Sequence, residues 1–502
     1  MMGLSEALAS YEAVIGLEIH TALTALETKL FCGCTLSRGD APNTHVCPVC
    51  LGLPGALPVP NAEAVRATVM VGLACGCAIM PRSMHWRKHY FYPDMAKNFQ
   101  TTQGPVPLCA DGAVVLEVAP EVAAERLDDG VAREKDGSYT VPIRIKRIHL
   151  EEDAAKMVHV GGTEGRIGGA AESLIDYNRC GTPLIELVTE ADLRTPEEAR
   201  LFMEKIREIF RALGISDCSM EAGSMRCDGN VSLRRRGADG LGEKCELKNL
   251  NSFKSLHDAL AYEIRRQAEL LERGDPVVCE TRHFEPASKR TVVLRSKEAV
   301  DDYRFFPDPD LAPFDLSEEF VGECRARMPE LPDAKRARYM DAWGLARKDA
   351  ARLAGDPETA ALFERAVACT GEGLALTVAK VAVNMAPGFD LSAEQLGCVA
   401  RMLADDALSG MQARELIALV SGTDLDPEAV ADERGMKQTS DAASLAHVVD
   451  AVLAACPEQR LQYRDGNVKV IGYLIGQCMR SSGGRGNPKL FKQLLAEALK
   501  RP

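Results

Sequence analysis

Apolar and polar residues alternate strictly near the start of the chain. In "YEAVIGLEIH", residues 11–20, Ile15, Leu17 and Ile19 fall on one side and Glu18 and His20 on the other, the period of a half-buried strand. "TVPIRIKRIHL" and "TPLIELVTE" predict two further strands. In "MRCDGNVSLR", Met225, Cys227, Val231 and Leu233 alternate with Arg226, Asp228, Asn230, Ser232 and Arg234, predicting another. The period changes in "TPEEARLFMEKIREIFRALG", where Phe202, Ile206, Ile209 and Leu213 form a helical stripe. Thr195 caps that helix, Pro196 occupies its first turn, Glu198 is placed to close a capping box, and Gly214 ends it. A second helix follows Ser252, with Leu256, Leu260, Ile264 and Leu271 on one side. Five prolines between Pro307 and Pro332 predict a linker, and beyond it the pattern is helical almost throughout. The last helix is capped by Asn487 and opened by Pro488, with Leu490, Phe491, Leu494, Leu495 and Ala498 facing a core. The class expected is α+β, a mixed or antiparallel sheet followed by helices.

Length turns this pattern into several domains: 502 residues exceed one ordinary unit. Neither a signal-peptide pattern nor an apolar run of the ~18 residues needed to cross a membrane occurs, so the expectation is a soluble, cytoplasmic protein. The 17 cysteines, odd in number and scattered, are no disulfide framework and point instead to metal where they cluster. The net charge of −13 argues against general adhesion to nucleic acid. Residues 460–502 depart from it with nine cations (Arg460, Arg464, Lys469, Arg480, Arg485, Lys489, Lys492, Lys500 and Arg501) against two acids, Asp465 and Glu497. Such a local excess suits a phosphate backbone; a solvated helical face would look the same.

Two clusters carry candidate metal chemistry. Cys32-x-Cys34 and Cys47-x-x-Cys50 are short thiol pairs on turns, spaced to close a tetrahedron around zinc. All-thiolate coordination leaves no open position, which makes such a site structural; His45 could replace one ligand, and an iron–sulfur cluster is open to the same thiols. Cys75 and Cys77 read as buried, unligated thiols. Glu186, among Leu184, Ile185, Leu187 and Val188, needs a partner or a metal; Glu151, Glu152 and Asp153 end another apolar strand. With Glu18 and His20 these acids suit one hard cation such as Mg²⁺, or separate ion pairs to Lys146, Arg147 or Lys156. "RKHYFYPDMAKNFQ" interleaves Arg87, Lys88 and Lys97 with aromatic residues, a surface for a charged ligand. There is no GxxxxGK[ST] phosphate loop; "GGTEGRIGG" lacks its Lys-Ser/Thr ending.

The stretches "VIGLEIH", "CPVCLGLPGALPVPN", "RKHYFYPDMAKNFQ", "IHLEEDAAK", "DYNRCGTPLIELVTE", "SDCSMEAGSMRCDGNVS" and "ELKNLNSFK" together resemble the B subunit of the glutamyl/aspartyl-tRNA amidotransferases, and the tail resembles the small helical domain that ends it. The resemblance implies a glutamine synthetase-like cradle over residues 1–310 with a zinc knuckle at 32–50, an all-α helical domain over 311–432 and a tRNA-binding tail over 433–502. It implies an ATP-dependent enzyme that phosphorylates the side-chain carboxylate of Glu-tRNA(Gln) or Asp-tRNA(Asn). Ammonia released from glutamine by a partner amidase, the A subunit, then gives the amide, and a small C subunit completes a heterotrimer. By motif match, Glu18, His20, Glu152 and Glu186 fall on the Mg²⁺ site, and Cys32, Cys34, Cys47 and Cys50 on the structural Zn²⁺ site. Lys88, Lys97 and Arg226 are the expected contacts to ATP or the acyl end.

Two departures accompany the match: Ala222 stands where a second acid is expected, and residues 117–140 look like a surface insertion. The competing class is a non-catalytic, zinc-stabilised scaffold that presents tRNA. The acidic constellation separates the two, since the basic tail and the cysteines fit both.

Overall fold

The computed structural model describes residues 2–37, 39–127, 131–162, 168–296, 303–438, 441–484 and 486–500. The chain divides into two compact units, Met1–Leu331 and Pro332–Pro502.

The first unit is built on a nine-stranded sheet: β1 (Tyr11–Ala22), β2 (Ala78–Ile79), β3 (Cys109–Val118), β4 (Tyr139–Glu152), β5 (Pro183–Thr189), β6 (Met225–Arg235), β7 (Cys245–Lys248), β8 (Glu280–Glu285) and β9 (Arg290–Ser296). Their order across the sheet is β9-β8-β7-β6-β1-β5-β4-β3-β2. Every pairing is antiparallel except β7 with β8, so the mixed sheet expected from the strand patterns is observed. β1 lies near the middle, and its alternation decides the architecture. Ile15, Leu17 and Ile19 are buried against a single large core shared with helices α1 (Leu4–Ser10), α2 (Ala62–Ala74), α3 (Pro196–Ala212) and α4 (Phe253–Arg273). Of these, α3 and α4 are amphipathic and give the core Phe202, Ile206 and Ile209 from α3 and Leu256, Leu260 and Ile264 from α4. The other face of the sheet keeps the polar half of each strand, the layered solution for an antiparallel sheet with helices on one side.

One local reading changes. Thr195 caps α3 by accepting from Glu198 N, but Glu198 does not bond back to the cap. It is buried, accepting from Arg126, the Tyr139 hydroxyl and Arg194 N. The residues read as a surface insertion are thereby tied down: Val118, Ala123 and Arg126 are buried, and of 117–140 only 128–130 lie outside the described residues.

The proline-rich stretch is not a linker. Phe306–Pro307 pairs with Trp86 and Arg87, Phe314–Asp315 pairs with Arg82 and Ser83, and Asp308 holds Arg87 at 2.9 Å. Proline is admissible there because the segment forms short edge strands, where a missing N–H costs no ladder bond. Leu311, Leu316 and Cys324 enter the first core, so the expected boundary at 310/311 moves to Leu331. The second unit holds two separate cores. Helices from Pro332–Trp343 to Pro427–Glu433 enclose one, which still includes Met436 beyond the expected 432/433 boundary. Ala442–Ala455, Ile471–Ser481 and Pro488–Lys500 enclose the other around Leu474, Phe491 and Leu495. Among the described residues no single helix is long and apolar enough to cross a membrane.

Candidate active site

Register brings the polar residues of the open face into rows. Arg226, His20, Glu186 and His149 lie side by side across β6, β1, β5 and β4. Two residues along, Asp228, Glu18, Val188 and Arg147 form the next row. His20 Nε2 sits 3.7 Å from Glu18 Oε1, 3.8 Å from Glu186 Oε2 and 3.6 Å from Glu151 Oε1. One ligand atom each of Glu18, His20 and Glu186 lies within 4.8 Å of the others. Donors about 2.1–2.5 Å from a common cation lie within about 5 Å of one another, so this set fits one ion.

Electrostatics favour the same reading. Burial, then the charges of Glu186 and Asp228, push the Glu18 carboxyl up to about 7. Burial and Glu186 push Glu151 up to about 8. Burial lowers His20, leaving a neutral ring whose nitrogen can donate to a metal. Burial alone would raise Glu186, but its neighbours outweigh burial and lower it, the Arg147 guanidinium being the permanent cation among them. Arg147 donates to Glu186 at 2.8 Å, one of the ion pairs foreseen from the sequence, and it coexists with the cluster. Carboxyls driven upward by burial and by one another's charge are groups short of a positive charge.

The fourth expected ligand is placed elsewhere. Along β4, Ile148, Leu150 and Glu152 share the core side, whereas His149 and Glu151 share the open side. Glu152 therefore pairs with Lys97 and accepts from Thr101 N at 2.8 Å. Glu151 takes the position beside His20, held by a 2.9 Å bond from the Thr102 hydroxyl. Adjacent acids on a strand face opposite ways, so motif position alone could not choose between them. Of the expected ligand contacts, Arg226 flanks His20 and reaches Asp153 at 3.0 Å. Lys88 lies over the Tyr303 ring and acts electrostatically on Glu151. Lys97 is not directed at the open face. Glu151 stands in the sequence among the acids suited to one cation but outside the motif match; Arg147, His149 and Lys248, which pairs with Asp228 at 2.6 Å, are site residues the motifs did not mark. Their signal was the alternation of β4 and β7, which becomes informative once β5 and β6 are known to join those strands to β1 in the sheet.

Beside Glu18 the open face deepens into a cleft of about 570 Å³, floored by Gly16, Asn230 and Ser232 and edged by Lys146, Arg147 and Lys244. That volume is in the range of small-ligand sites, roughly 300–1,000 Å³.

Cys32, Cys34, Cys47 and Cys50 converge with their sulfurs within 4.8 Å of one another, and Cys47 Sγ lies 3.9 Å from Cys50 Sγ. A tetrahedral zinc with bonds of about 2.3 Å requires an edge of about 3.8 Å. The surroundings suit thiolates. Cys47 N donates to Cys50 Sγ, and a hydrogen bond from Cys32, with the nearby Lys29 ammonium adding to it, lowers the Cys50 thiol. Lys29 is 1% exposed, and its ammonium meets two carbonyls, His45 O at 2.8 Å and Tyr177 O at 3.2 Å. Two carbonyls do not neutralise a buried ammonium, so the charge calls for the anionic sulfurs beside it. His45 does not join the set; its ring pairs with Asp40 at 3.1 Å. Cys75 and Cys77 are buried in the core beside Cys109, apart from any group of metal donors among the described residues.

Seven of the nine tail cations are among the described residues; Arg485 and Arg501 lie outside them. Arg464, Lys469, Arg480, Lys489, Lys492 and Lys500 are exposed. Lys489 is paired with Asp406 at 2.7 Å.

Residues 13–322 match the family model described as the GatB/GatE catalytic domain, and residues 372–499 match that described as the GatB domain. A protein of Thermomicrobium roseum is 44% identical over 98% of this chain and 99% of its own length. Proteins of Carboxydothermus hydrogenoformans and Moorella thermoacetica are each 42% identical over 97% of this chain and 99% and 100% of their own lengths. All three are named as the B subunit of an aspartyl/glutamyl-tRNA(Asn/Gln) amidotransferase.

Proposed function

The chain belongs to the family of aspartyl/glutamyl-tRNA(Asn/Gln) amidotransferase B subunits, and from that premise we propose that its open sheet face is the site of ATP-dependent amide formation on tRNA. The protein acts with an amidase subunit and a small third subunit in a heterotrimer, converting Glu-tRNA(Gln) or Asp-tRNA(Asn) to the amidated form. Its place is the cytoplasm, with the other machinery of translation. The first unit is the catalytic cradle, the helices after Leu331 form a connecting domain, and the basic helices at the end carry tRNA.

A carboxylate is a poor acyl donor because its leaving group would be oxide. Transfer of the ATP γ-phosphate to the glutamate or aspartate side chain gives an acyl phosphate, and ammonia displaces phosphate from it. Glu18, His20 and Glu186, with Glu151 beside them, would hold Mg²⁺. When bound, the ion neutralises charge on the transferring phosphoryl group. Arg147, Lys146 and Lys244 at the cleft offer donors to the polyphosphate, and Arg226 and Lys88 flank the acyl end. Gly16 leaves the cleft floor bare where a side chain would fill it. Lys97 and Glu152 serve as a supporting layer. They fix the strand Phe99–Gln103, whose Thr102 orients Glu151. The cysteine quartet would hold Zn²⁺ in a structural role.

The observation that carries this reading is the convergence of Glu18, His20 and Glu186, from two strands far apart in sequence, beside a cleft edged by cations. A scaffold without chemistry would leave those crowded acids without a task. The test supplies γ-labelled ATP, Mg²⁺ and Glu-tRNA(Gln) to the assembled heterotrimer and follows acyl phosphate or, with ammonia, the amide. Glu186→Gln is expected to lower transfer by at least about 100-fold while glutamine hydrolysis by the partner amidase continues. Undiminished transfer removes the assignment.

A further inference from the structure

The cysteine loop does more than close on itself: its last turn presses against the layer beneath the acids. Leu51 N donates to Cys47 O, Gly52 N to Val49 O and Leu53 N to Pro48 O, so the path of Gly52 follows from that of the Cys47–Cys50 turn. Gly52 has φ +67°, and a Cβ there would lie 2.6 Å from Lys97 Cγ and 2.9 Å from Lys97 Cα. Backbone thus sits directly on the lysine. On the other side, Gly181 lies between the partner of Lys97 and the same loop. A Cβ on Gly181 would lie 3.7 Å from Cys50 Cβ and 3.9 Å from Glu152 Oε2. The neighbouring Cys180 Sγ donates to Cys50 O at 3.4 Å.

We propose that the Cys47–Gly52 turn is a positioning element for amide transfer: held by the metal-loaded quartet, it sets Lys97 on Glu152, and through Thr101 and Thr102 it sets Glu151 toward His20. Every link is a direct contact. Lys97 reaches Glu152 and the Thr101 hydroxyl, Glu152 accepts from Thr101 N, and Thr102 holds Glu151. The quartet takes no part in the chemistry and yet acts on its geometry, and displacements near 1 Å are costly at such sites. The proposal rests on the assignment of the open face to transfer and of Lys97 to its support. Lys97→Met tests that assignment separately, because undiminished transfer in this variant removes the role of Lys97 whatever the turn does.

The experiment uses the assembled heterotrimer with Gly52→Ala, and with Gly55→Ala as control. Gly55 has φ +82° with nothing within 4 Å of an added Cβ, so its variant carries the left-handed strain without the contact. Three quantities are read: amide formation, zinc content, and the rate at which an amine-reactive reagent labels Lys97 by mass spectrometry. Exposed Lys146 is the reference, and buried Lys205 reports any opening of the core. Gly52→Ala is expected to speed labelling of Lys97 alone and to lower kcat roughly 10- to 100-fold at unchanged KM for tRNA, whereas Gly55→Ala matches wild type. In a Lys97→Met background Gly52→Ala should cost nothing further, the non-additivity of residues acting in one chain. Unchanged Lys97 labelling in a folded Gly52→Ala protein overturns the proposal, as does an equal loss in the Lys97→Met background. If Gly52→Ala does not assemble, zinc is withdrawn from the wild-type heterotrimer by a chelator. Faster labelling of Lys97 with Lys205 still protected supports the proposal, and an unchanged rate overturns it.

Discussion

Lys97→Met isolates one buried charge. The side chains of Lys97 and Glu152 are 9% and 2% exposed, so the pair is removed from water. Methionine fills the space of the lysine stem but leaves Glu152 with Thr101 N as its remaining donor, at 2.8 Å. Stranding one partner of a buried pair costs about 3–5 kcal/mol, far above the ~0–1 kcal/mol of an exposed pair. At about 2 °C per kcal/mol for a unit of this size, the melting temperature of the first unit should fall by roughly 6–10 °C. Trp86 and Trp343 are the two tryptophans, one in each unit, so a Trp343→Phe background lets Trp86 fluorescence report the first unit alone. Adding Glu152→Gln removes the stranded charge and keeps an oxygen for Thr101 N. The double variant should regain all but about 1 kcal/mol, without regaining wild-type transfer. A midpoint within about 1 °C of wild type for Lys97→Met, or a double variant no more stable than the single, would refute the burial argument.

Three further outcomes follow from the geometry. Lys29→Met removes the ammonium beside Cys50 and should speed zinc release to a chelator about 10- to 100-fold, with Lys29→Arg intermediate; equal release rates count against charge compensation at the quartet. His85 lies between Phe31 at 5.1 Å and Phe314 at 5.5 Å, and burial, with Lys97 adding and Asp308 opposing, lowers it to about 4. The unfolded chain therefore takes up a proton that the fold refuses, so His85 costs no stability above pH ~6.5 and up to about 3 kcal/mol as pH falls toward ~4. His85→Phe should flatten that acid limb in denaturant titrations at successive pH values, and an unchanged slope contradicts it. Replacing Lys469, Arg480 and Lys492 with glutamine should weaken tRNA binding and reduce its salt dependence by about one unit of slope for each phosphate no longer neutralised; an unchanged slope places the RNA elsewhere.

Local pattern made much of the first unit legible. The two-residue period of β1, β4, β5 and β6 and the stripes of α3 and α4 were visible because each is a short-range consequence of one buried face. The cysteine quartet was visible as well, since turns keep thiols close in space when they are close in sequence. Proline content misled: it marked 307–332 as a linker, although edge strands and buried Leu311 and Leu316 bind that segment into the first core. Proline reports a missing N–H, and edge strands and linkers tolerate that equally.

By itself the sequence determined which faces are polar, which residues of β1 point away from the core, where thiols cluster and that the tail is basic. It could not determine which strands neighbour β1, and on that the site depends. Only the sheet order set β5 and β6 beside β1 and aligned Glu186 and Arg226 with His20. Only the pleat of β4 sent Glu151 to the open face and Glu152 inward to Lys97. The physical reason is range. Periodicity is enforced by the backbone over a few residues, whereas register between strands more than a hundred residues apart is chosen by the packing of the whole core.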